Sequence, residues 1–254
     1  MFKTATRRRP SAPDQNNVRT YYRRPWLDRL TGRYTVEWEN AEGVQSLCVH
    51  NRFTDLEGHP PSLASLMRLP AVASSYLATR RHPILPEPVP LLVWDAIRYL
   101  ERELEPGMRV LEVGSGNSTL WFLGRGCRVT SIEHSADWAG YVRAFVDDHL
   151  SEEARARLEY HVEEGEAAVD RIRATGDQSF DVILVDSANA HTYRPDCVVA
   201  ARPKVRPGGL LVLDNSDHPN NWPALETMAD HARIRFTGLA PMCPVVCQTS
   251  AWRM

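Results

Sequence analysis

Short apolar runs alternate with amphipathic stretches along the last two thirds of the chain. The runs are continuously hydrophobic, as in strands that are buried on both faces. In the stretches between them, apolar residues recur every three or four positions, as on one face of a helix. Because strands that alternate with helices form parallel sheets covered on both sides, the pattern predicts an α/β fold with a doubly wound sheet.

The same pattern places the individual elements. Strands are predicted at 108–113, 127–132, 158–162, 180–185, 210–213, 233–237 and 245–252. Helices are predicted at 91–100, 120–123, 136–150, 166–173, 196–202 and 222–232. Residues 91–254 are therefore expected to form one domain with a hydrophobic core of its own.

The first 90 residues lack this regularity, and we divide them into a flexible basic arm, 1–20, and an irregular cap, 21–90. Within the cap, the alternation at 34–38 predicts a short strand, and 62–69 is expected to form one or two helical turns. Prolines break the remaining pattern at positions 60, 61, 70, 83, 86, 88 and 90. Four aromatic side chains are expected either to anchor the cap or to line a substrate pocket: Tyr21, Tyr22, Trp26 and Trp38.

Charge is distributed unevenly. Residues 1–33 hold nine basic and two acidic side chains, whereas the whole 254-residue chain has a formal net charge of -2. The arm is interpreted as a solvated tail, with binding to RNA or another polyanion as the alternative. Since the rest of the chain is acidic, an extended nucleic-acid surface is disfavoured.

Membrane spans and a metal centre built from cysteines are not indicated. No apolar run approaches the ~20 residues that span a bilayer, and no signal peptide is visible, so we expect a soluble, cytoplasmic protein. The five cysteines show no Cys-x-x-Cys spacing and are expected to be reduced thiols. Cys243 and Cys247 are four positions apart, but Pro241 and Pro244 argue against a shared helical face.

A glycine-rich turn follows the first predicted strand of the domain. The sequence Val110-Leu-Glu-Val-Gly-Ser-Gly-Asn-Ser-Thr119 runs from an apolar strand into Gly114 and Gly116. Small residues at this place let backbone N–H groups approach a nucleotide-like molecule. Ser118 or Thr119 can cap the helix that follows.

Carboxylates follow the next strands at the same edge of the predicted sheet. Glu133 ends the second strand, Glu166 lies in the turn after the third, and Asp186 ends the fourth. An acidic residue at the end of the second strand can accept both hydroxyls of a ribose. The combination predicts a nucleoside site along this edge.

Two residues near the glycine turn narrow the kind of nucleoside site that is predicted. Glu112 completes the pattern Glu-x-Gly-x-Gly, and Thr119 stands where a dinucleotide-binding turn would carry its third glycine. In these residues, and in Pro207-Gly-Gly-Leu-Leu-Val-Leu-Asp-Asn215, the chain resembles the class I S-adenosylmethionine-dependent methyltransferases over residues 90–254. The resemblance implies a Rossmann-like sheet of seven strands, mostly parallel with the last antiparallel, under an irregular N-terminal cap. It also implies S-adenosylmethionine as cofactor, held by Glu112, Gly114, Ser115, Gly116, Ser118, Glu133, His134, Gly165, Glu166, Asp186 and Ser187.

A second likeness concerns the metal-dependent catechol and caffeoyl-CoA O-methyltransferases. Asp186, Asp214 and Asn215 match the positions that hold a divalent cation in that group, which implies a magnesium site with oxygen ligands. The catalytic lysine of that group is absent, since Asn189 stands in its place. The candidate catalytic residues are therefore Asp186, His191 and His218, the histidines having a pKa near neutrality in their ordinary state.

These observations predict an enzyme that methylates an oxygen or nitrogen of a small-molecule acceptor, with magnesium as a candidate helper. Aminopropyl transfer on the same fold is one alternative, since Asp186, Asp214 and Asp217 could bind a polyamine. An RNA-directed methyltransferase or RNA-binding protein that uses the basic arm is the other. The sequence leaves open whether the protein forms a homodimer.

Overall fold

The computed structural model describes residues 19–21, 34–40, 43–49, 53–79, 84, 87–187 and 193–254. Most of the predicted arm, Asn189, His191 and the side chains of the four cap aromatics lie outside this part of the chain. The strands are β1 Arg19–Tyr21, β2 Tyr34–Asn40, β3 Gly43–Val49, β4 Arg109–Val113, β5 Arg128–Glu133, β6 Leu158–Val162, β7 Phe180–Val185, β8 Val205–Asp214, β9 Arg233–Ala240 and β10 Cys243–Arg253.

The described α-helices connect or precede these strands. They are α1 Leu63–Leu66, α2 Leu69–Thr79, α3 Trp94–Glu103, α4 Asn117–Gly124, α5 Ala136–His149, α6 Glu152–Arg155, α7 Glu166–Ala174, α8 Arg194–Ala201 and α9 Trp222–Thr227. Short 3₁₀ turns follow at Arg202–Lys204 and Pro219–Asn221.

Seven strands form the central sheet in the order β6-β5-β4-β7-β8-β10-β9. β4 pairs in parallel with both β5 and β7. In the same way, β5 pairs in parallel with β6, and β7 pairs in parallel with β8. β10 runs antiparallel to both of its neighbours, β8 and β9. The predicted doubly wound sheet with an antiparallel last strand is thereby confirmed.

Alternate residues of β7 supply two separate cores. Ile183 and Val185 join the cluster that packs under α7 and α8, whereas Val182 and Leu184 join the cluster under α3 and α4. All four side chains are at most 2% exposed. Because the pleat sends neighbouring side chains to opposite faces, this continuously apolar strand needs helices on both sides, as the sequence indicated.

The N-terminal region holds more regular structure than predicted. β1, β2 and β3 form an antiparallel sheet of their own, of which only β2 was predicted. α2 is 11 residues long and continues to Thr79, well beyond the expected turns, because Pro70 lies in its first turn, where no helical N–H bond is lost. α9, in contrast, ends at Thr227, five positions before its predicted end.

The segment 53–72 packs on the β9–β10 edge of the sheet. Ser65 Oγ accepts a hydrogen bond from Leu239 N over 2.6 Å, and Val72 packs against Leu239 and Val246. Asp55 Oδ2 accepts from Thr237 Oγ1 over 2.7 Å, so polar contacts hold the same edge. This part of the cap therefore lies beside the strands that end the sheet.

Candidate active site

A cleft of about 720 Å³ crosses the carboxyl ends of the parallel strands. One end, the glycine-turn half, is lined by Gly114, Ser115, Gly116, Glu133, His134 and Trp138. The other end, the hairpin half, is lined by Asp214, Asn215, the β9–β10 turn residues Ala240, Pro241, Met242 and Cys243, and Cys247. Asp186 and Arg194 lie where the halves meet, since β7 stands between β4 and β8.

Position 114 requires glycine because the ends of β4 and β7 approach each other closely there. Its φ is +97°, and a Cβ added there would lie 2.5 Å from the backbone oxygen of Asp186. Gly116, with a φ of +142°, faces the ring of Trp138 instead, at 3.2 Å from the position of an added Cβ. Only glycine adopts these angles without strain, so both positions keep the turn open toward the cleft.

Glu112 lies behind this turn rather than in the cleft. It is fully buried and accepts hydrogen bonds from the hydroxyls of Ser118, over 2.9 Å, and Thr119. Thr119 Oγ1 in turn accepts from Gly116 N over 2.9 Å. Burial raises the pKa of Glu112 to about 7, although the hydroxyls oppose the shift. Glu112, which was predicted to bind the cofactor, thus influences the cleft only by holding the glycine turn in shape.

Glu133 ties the ends of β4 and β5 together at the floor of the glycine-turn half. Its Oε2 accepts from Ser115 N and Oγ over 2.9 and 2.8 Å, and its Oε1 accepts from Ser135 N over 2.9 Å. His134 Nδ1 lies 2.9 Å from the same Oε1. With 2% exposure, the carboxylate is held rigidly by backbone groups while one side remains in the cleft.

Aromatic side chains complete this half. Trp138 Nε1 donates to Ser115 O over 2.9 Å, so the indole is fixed against the glycine turn. Tyr160 shares a hydrogen bond with the Ser115 hydroxyl, and burial raises the pKa of the phenol. The result is a pocket with one flat apolar wall and one carboxylate, the combination suited to a ring carried on a ribose.

Arg194 crosses the junction of the two halves. It is 1% exposed, and its Nη2 donates to Asp186 Oδ1 over 3.0 Å. Nη1 donates to Asp214 O over 2.7 Å and to Asn215 Oδ1 over 3.2 Å. Nε and Nη2 donate to Ser187 O over 3.2 and 2.9 Å. All five N–H groups of the guanidinium are therefore occupied.

This arrangement corrects the predicted magnesium site. The guanidinium occupies the space between Asp186 and Asn215, and Asp214 Oδ1 accepts from Thr249 Oγ1 over 2.6 Å. Asn215 has a φ of +48°, which asparagine tolerates in tight turns, and its carbonyl oxygen accepts from Asn221 Nδ2. One side-chain oxygen of each predicted ligand already has a partner in the protein, and a positive charge lies between two of the ligands, so the set does not fit magnesium.

Two carboxyl groups share the positive charge of Arg194. Burial and the nearby Asp214 carboxylate raise the pKa of Asp186 well above its ordinary value, and Arg194 opposes the shift. Burial also raises the pKa of Asp214, against Arg194 and the hydroxyl of Thr249. Asp186 is the more accessible, with 19% of its side chain exposed.

The remaining predicted residues lie elsewhere. Gly165 and Ser187 line a smaller cavity of about 10 Å³ beside Tyr193, and Glu166 is exposed in the first turn of α7. His218 Nδ1 accepts from Asn220 N over 3.3 Å and caps the following 3₁₀ turn. Although these positions do follow strand ends, none of the four contributes to the cleft wall.

Three residues that line the cleft were not predicted to do so from the sequence. Arg194 lies outside the predicted helix 196–202, and Trp138 was interpreted as part of the apolar stripe of the helix predicted at 136–150. Cys247 lies close to Cys243 through a strand irregularity rather than through a helix. No sequence pattern distinguishes Arg194 from the other basic residues between Asp186 and Asp214.

Residues 111–216 match the model of a family described as a methyltransferase domain. The matched region contains the glycine turn, Glu133, Asp186 and Asp214. This region is a methyltransferase domain. No curated protein was found to match it in sequence.

Solved structures share the fold of this chain. The O-methyltransferase TomG from Streptomyces achromogenes, in complex with S-adenosylmethionine, is 21% identical, with 72% of this chain and 89% of that chain covered and a TM-score of 0.54. An O-methyltransferase from Bacillus cereus, bound to S-adenosylhomocysteine, is 17% identical, with 73% and 91% covered and a TM-score of 0.52. Cofactor-bound Rv0187 from MTB is 19% identical, with 77% and 97% covered and a TM-score of 0.53.

Two further findings concern the described part of the chain. None of its described helices is long and apolar enough to cross a membrane. Within the described part of the chain, no three His, Cys, Asp or Glu side chains are grouped so that they could hold a metal ion.

Proposed function

We propose that this methyltransferase transfers the methyl group of S-adenosylmethionine to an oxygen atom of a small-molecule acceptor. The observation that carries the proposal is the carboxylate of Asp186, which lies at the junction of the two halves of the cleft and is paired with Arg194. Two proteins of similar structure are O-methyltransferases, which agrees with an oxygen acceptor.

The glycine-turn half has the groups that a nucleoside needs. Glu133 lies at its floor and accepts three hydrogen bonds, which leaves lone-pair directions for a ribose hydroxyl. Trp138 offers a flat surface beside Gly116. When bound there, S-adenosylmethionine supplies a methyl group that its sulfonium already activates.

The hairpin half would hold the acceptor. Its end of the cleft is mainly apolar, apart from Asp214 and Asn215, so it suits an aromatic or aliphatic small molecule. Asp186 is placed to accept the proton of the attacking hydroxyl, and its raised pKa makes it a stronger base than an ordinary aspartate. Arg194 would position this carboxylate and offset the charge of Asp214.

A resident magnesium ion forms no part of this proposal, because the predicted ligands do not fit it. The guanidinium of Arg194, held between Asp186 and Asn215, supplies a positive charge at the position expected for the metal. Aminopropyl transfer is disfavoured for the same reason, since Arg194 would repel a polyammonium substrate. Asp217, the third carboxylate of that alternative, is 3% exposed and accepts from Leu56 N over 2.9 Å.

The test is transfer of a labelled methyl group. The protein is incubated with methyl-labelled S-adenosylmethionine and with panels of phenols, aliphatic alcohols, carboxylic acids and amines. We expect label on hydroxyl or carboxyl oxygens, a loss of at least about 100-fold for Asp186→Asn, and an unchanged rate for Glu159→Gln, an exposed carboxylate on β6. Label on amines alone, or an unaffected Asp186→Asn rate, would overturn the proposal.

A further inference from the structure

Two thiols lie side by side on the wall of the hairpin half. Cys243 Sγ and Cys247 Sγ are 3.4 Å apart, and both residues line the cleft. This contact is unexpected for residues four apart in a strand, where the pleat separates them by about 13 Å. A local feature of β10 must bring them together.

That feature is a bulge at the start of β10. Cys243 pairs with Ala240 and Val246 pairs with Leu239, so three steps along β10 correspond to one step along β9. The two extra residues leave the ladder, which makes Cys243 and Cys247 next-but-one neighbours in the pleat. They therefore share one face of the strand, the face toward the cleft.

The other described cysteines differ from this pair. Cys127 and Cys197 are at most 1% exposed, and burial raises the pKa of their thiols to about 11 and about 12. They are buried core residues, which makes them chemically inert. Cys243 and Cys247 are partly exposed and open onto a cavity that admits small molecules.

The pair is also chemically asymmetric. The contact with Cys247 lowers the pKa of Cys243, whereas the same contact and burial raise the pKa of Cys247. The backbone oxygen of Val245 lies 3.9 Å from the first sulfur and 3.6 Å from the second, within the range of a weak S–H donor. Because the thiolate is the nucleophile, Cys243 is the first of the two to react.

We propose that Cys243 and Cys247 form a redox-modification site, in which a low-molecular-weight disulfide of the glutathione type oxidises them to an intramolecular disulfide. In the first step the Cys243 thiolate attacks one sulfur of the oxidant, a mixed disulfide forms, and one thiolate leaves. In the second step Cys247 loses its proton to that departing thiolate or to water and attacks Cys243 Sγ. The second thiolate then leaves, so two protein thiols are oxidised and one small disulfide is reduced to two thiols.

The cross-link would act on one half of the cleft. Closing the bond brings the sulfurs from 3.4 Å to about 2 Å, which fixes the bulge and the adjoining turn at Pro241 and Met242. β10 is separated from β4 by β7 and β8. The hairpin half therefore changes, while the glycine-turn half keeps its geometry.

Mass spectrometry tests the site directly. The full chain with Cys48→Ser is incubated with glutathione disulfide and then digested without reduction. We expect a product that has lost two hydrogens, with a link between Cys243 and Cys247, and its full reversal by dithiothreitol. The Cys247→Ser variant should instead accumulate one glutathione adduct on Cys243. Adducts without a link in the parent protein, or links that involve Cys127 or Cys197, would overturn the assignment.

Two solution measurements test its consequence. Hydrogen exchange should slow across 238–248 in the oxidised protein and stay unchanged in the Cys243→Ser variant after the same treatment. Affinity for S-adenosylhomocysteine should differ by less than about twofold between the two redox states. Equal exchange in both states, or loss of S-adenosylhomocysteine binding on oxidation, would contradict an effect confined to the hairpin half.

Discussion

Arg194 Nη2 donates to Asp186 Oδ1 over 3.0 Å beneath the centre of the cleft, where the guanidinium is 1% exposed. A buried charge of this kind is tolerated only when its hydrogen-bonding groups are satisfied. Ser187, Asp214 and Asn215 provide the remaining acceptors. The pair thus joins the ends of β7 and β8 to the start of α8.

Arg194→Met should destabilise the fold strongly. Removing one partner of a buried pair leaves the carboxylates without their cation, which costs about 3–5 kcal/mol in the free energy of unfolding. Arg194→Lys should cost less but still measurably, since an ammonium cannot serve all five acceptor contacts. Urea denaturation gives both values. Arg206→Met, which breaks an exposed pair with Asp181, is the control and should change stability by at most about 1 kcal/mol.

Divalent cations should distinguish the same variant from the parent. In Arg194→Met the oxygens of Asp186 and Asn215 lose their donor, which leaves a vacant, negatively charged position beside Asp214. Millimolar magnesium should therefore raise the melting temperature of the variant and leave that of the parent unchanged, and methyl transfer by the parent should survive exhaustive chelation. A parent enzyme that loses activity on chelation and regains it with magnesium would contradict the role given to Arg194.

Alanine at three glycines should give three different results. Gly114→Ala pushes a Cβ against backbone atoms of Asp186 and should cost at least about 2 kcal/mol in unfolding free energy. Gly116→Ala presses on the Trp138 ring and should mainly weaken S-adenosylhomocysteine binding in calorimetry. Gly140→Ala, in α5 with open space around it, should stabilise by about 0.5–1 kcal/mol. Equal effects at all three would show that the close approach at Gly114 is not what requires glycine.

Glu133→Gln should weaken cofactor binding. The amide has only one acceptor oxygen, so either Ser115 N or Ser135 N loses its partner and the ribose hydroxyls lose a charged acceptor. Hydrogen bonds to a charged group contribute about 1.5–3 kcal/mol each, which corresponds to at least about a tenfold fall in affinity. Calorimetry with S-adenosylhomocysteine measures it. Glu159→Gln, an exposed change, should leave affinity as it is.

Glu112→Gln should flatten the dependence of stability on pH. The folded pKa of Glu112 is about 7 against an ordinary 4.5. The contribution of protonated Glu112 to the free energy of unfolding is thus complete below the ordinary pKa. It is lost as the pH rises through the pKa of the folded state. Between about pH 5 and about pH 8 the parent should lose about 3 kcal/mol more than the variant. Urea titrations at both pH values check this, and parallel pH dependences would show that Glu112 ionises normally.

The sheet could be predicted because its strands carry their own signature. Val182 to Val185 is apolar at every position, and such a run needs cover on both faces whatever its neighbours are. The glycine turn was equally readable, since Gly114 and Gly116 follow a strand directly. These signals are local, so one sequence is enough to interpret them.

The chemistry of the hairpin half was less predictable because it depends on contacts between distant residues. Asp214 and Asn215 looked like metal ligands until Arg194, 20 positions earlier, proved to lie between them and Asp186. The thiol pair depends on a strand bulge that no periodicity records. The strands β1 and β3 were missed because neither shows the regular alternation of apolar and polar residues that marks β2.

β10 lies between β8 and β9 although it follows both in the sequence. During synthesis β8 and β9 therefore remain unpaired with β10 until β10 has left the ribosome. The glycine-turn half, in contrast, is built from β4, β5 and β7, which need no later strand between them. The order of synthesis thus allows the glycine-turn half of the cleft to form before the hairpin half exists.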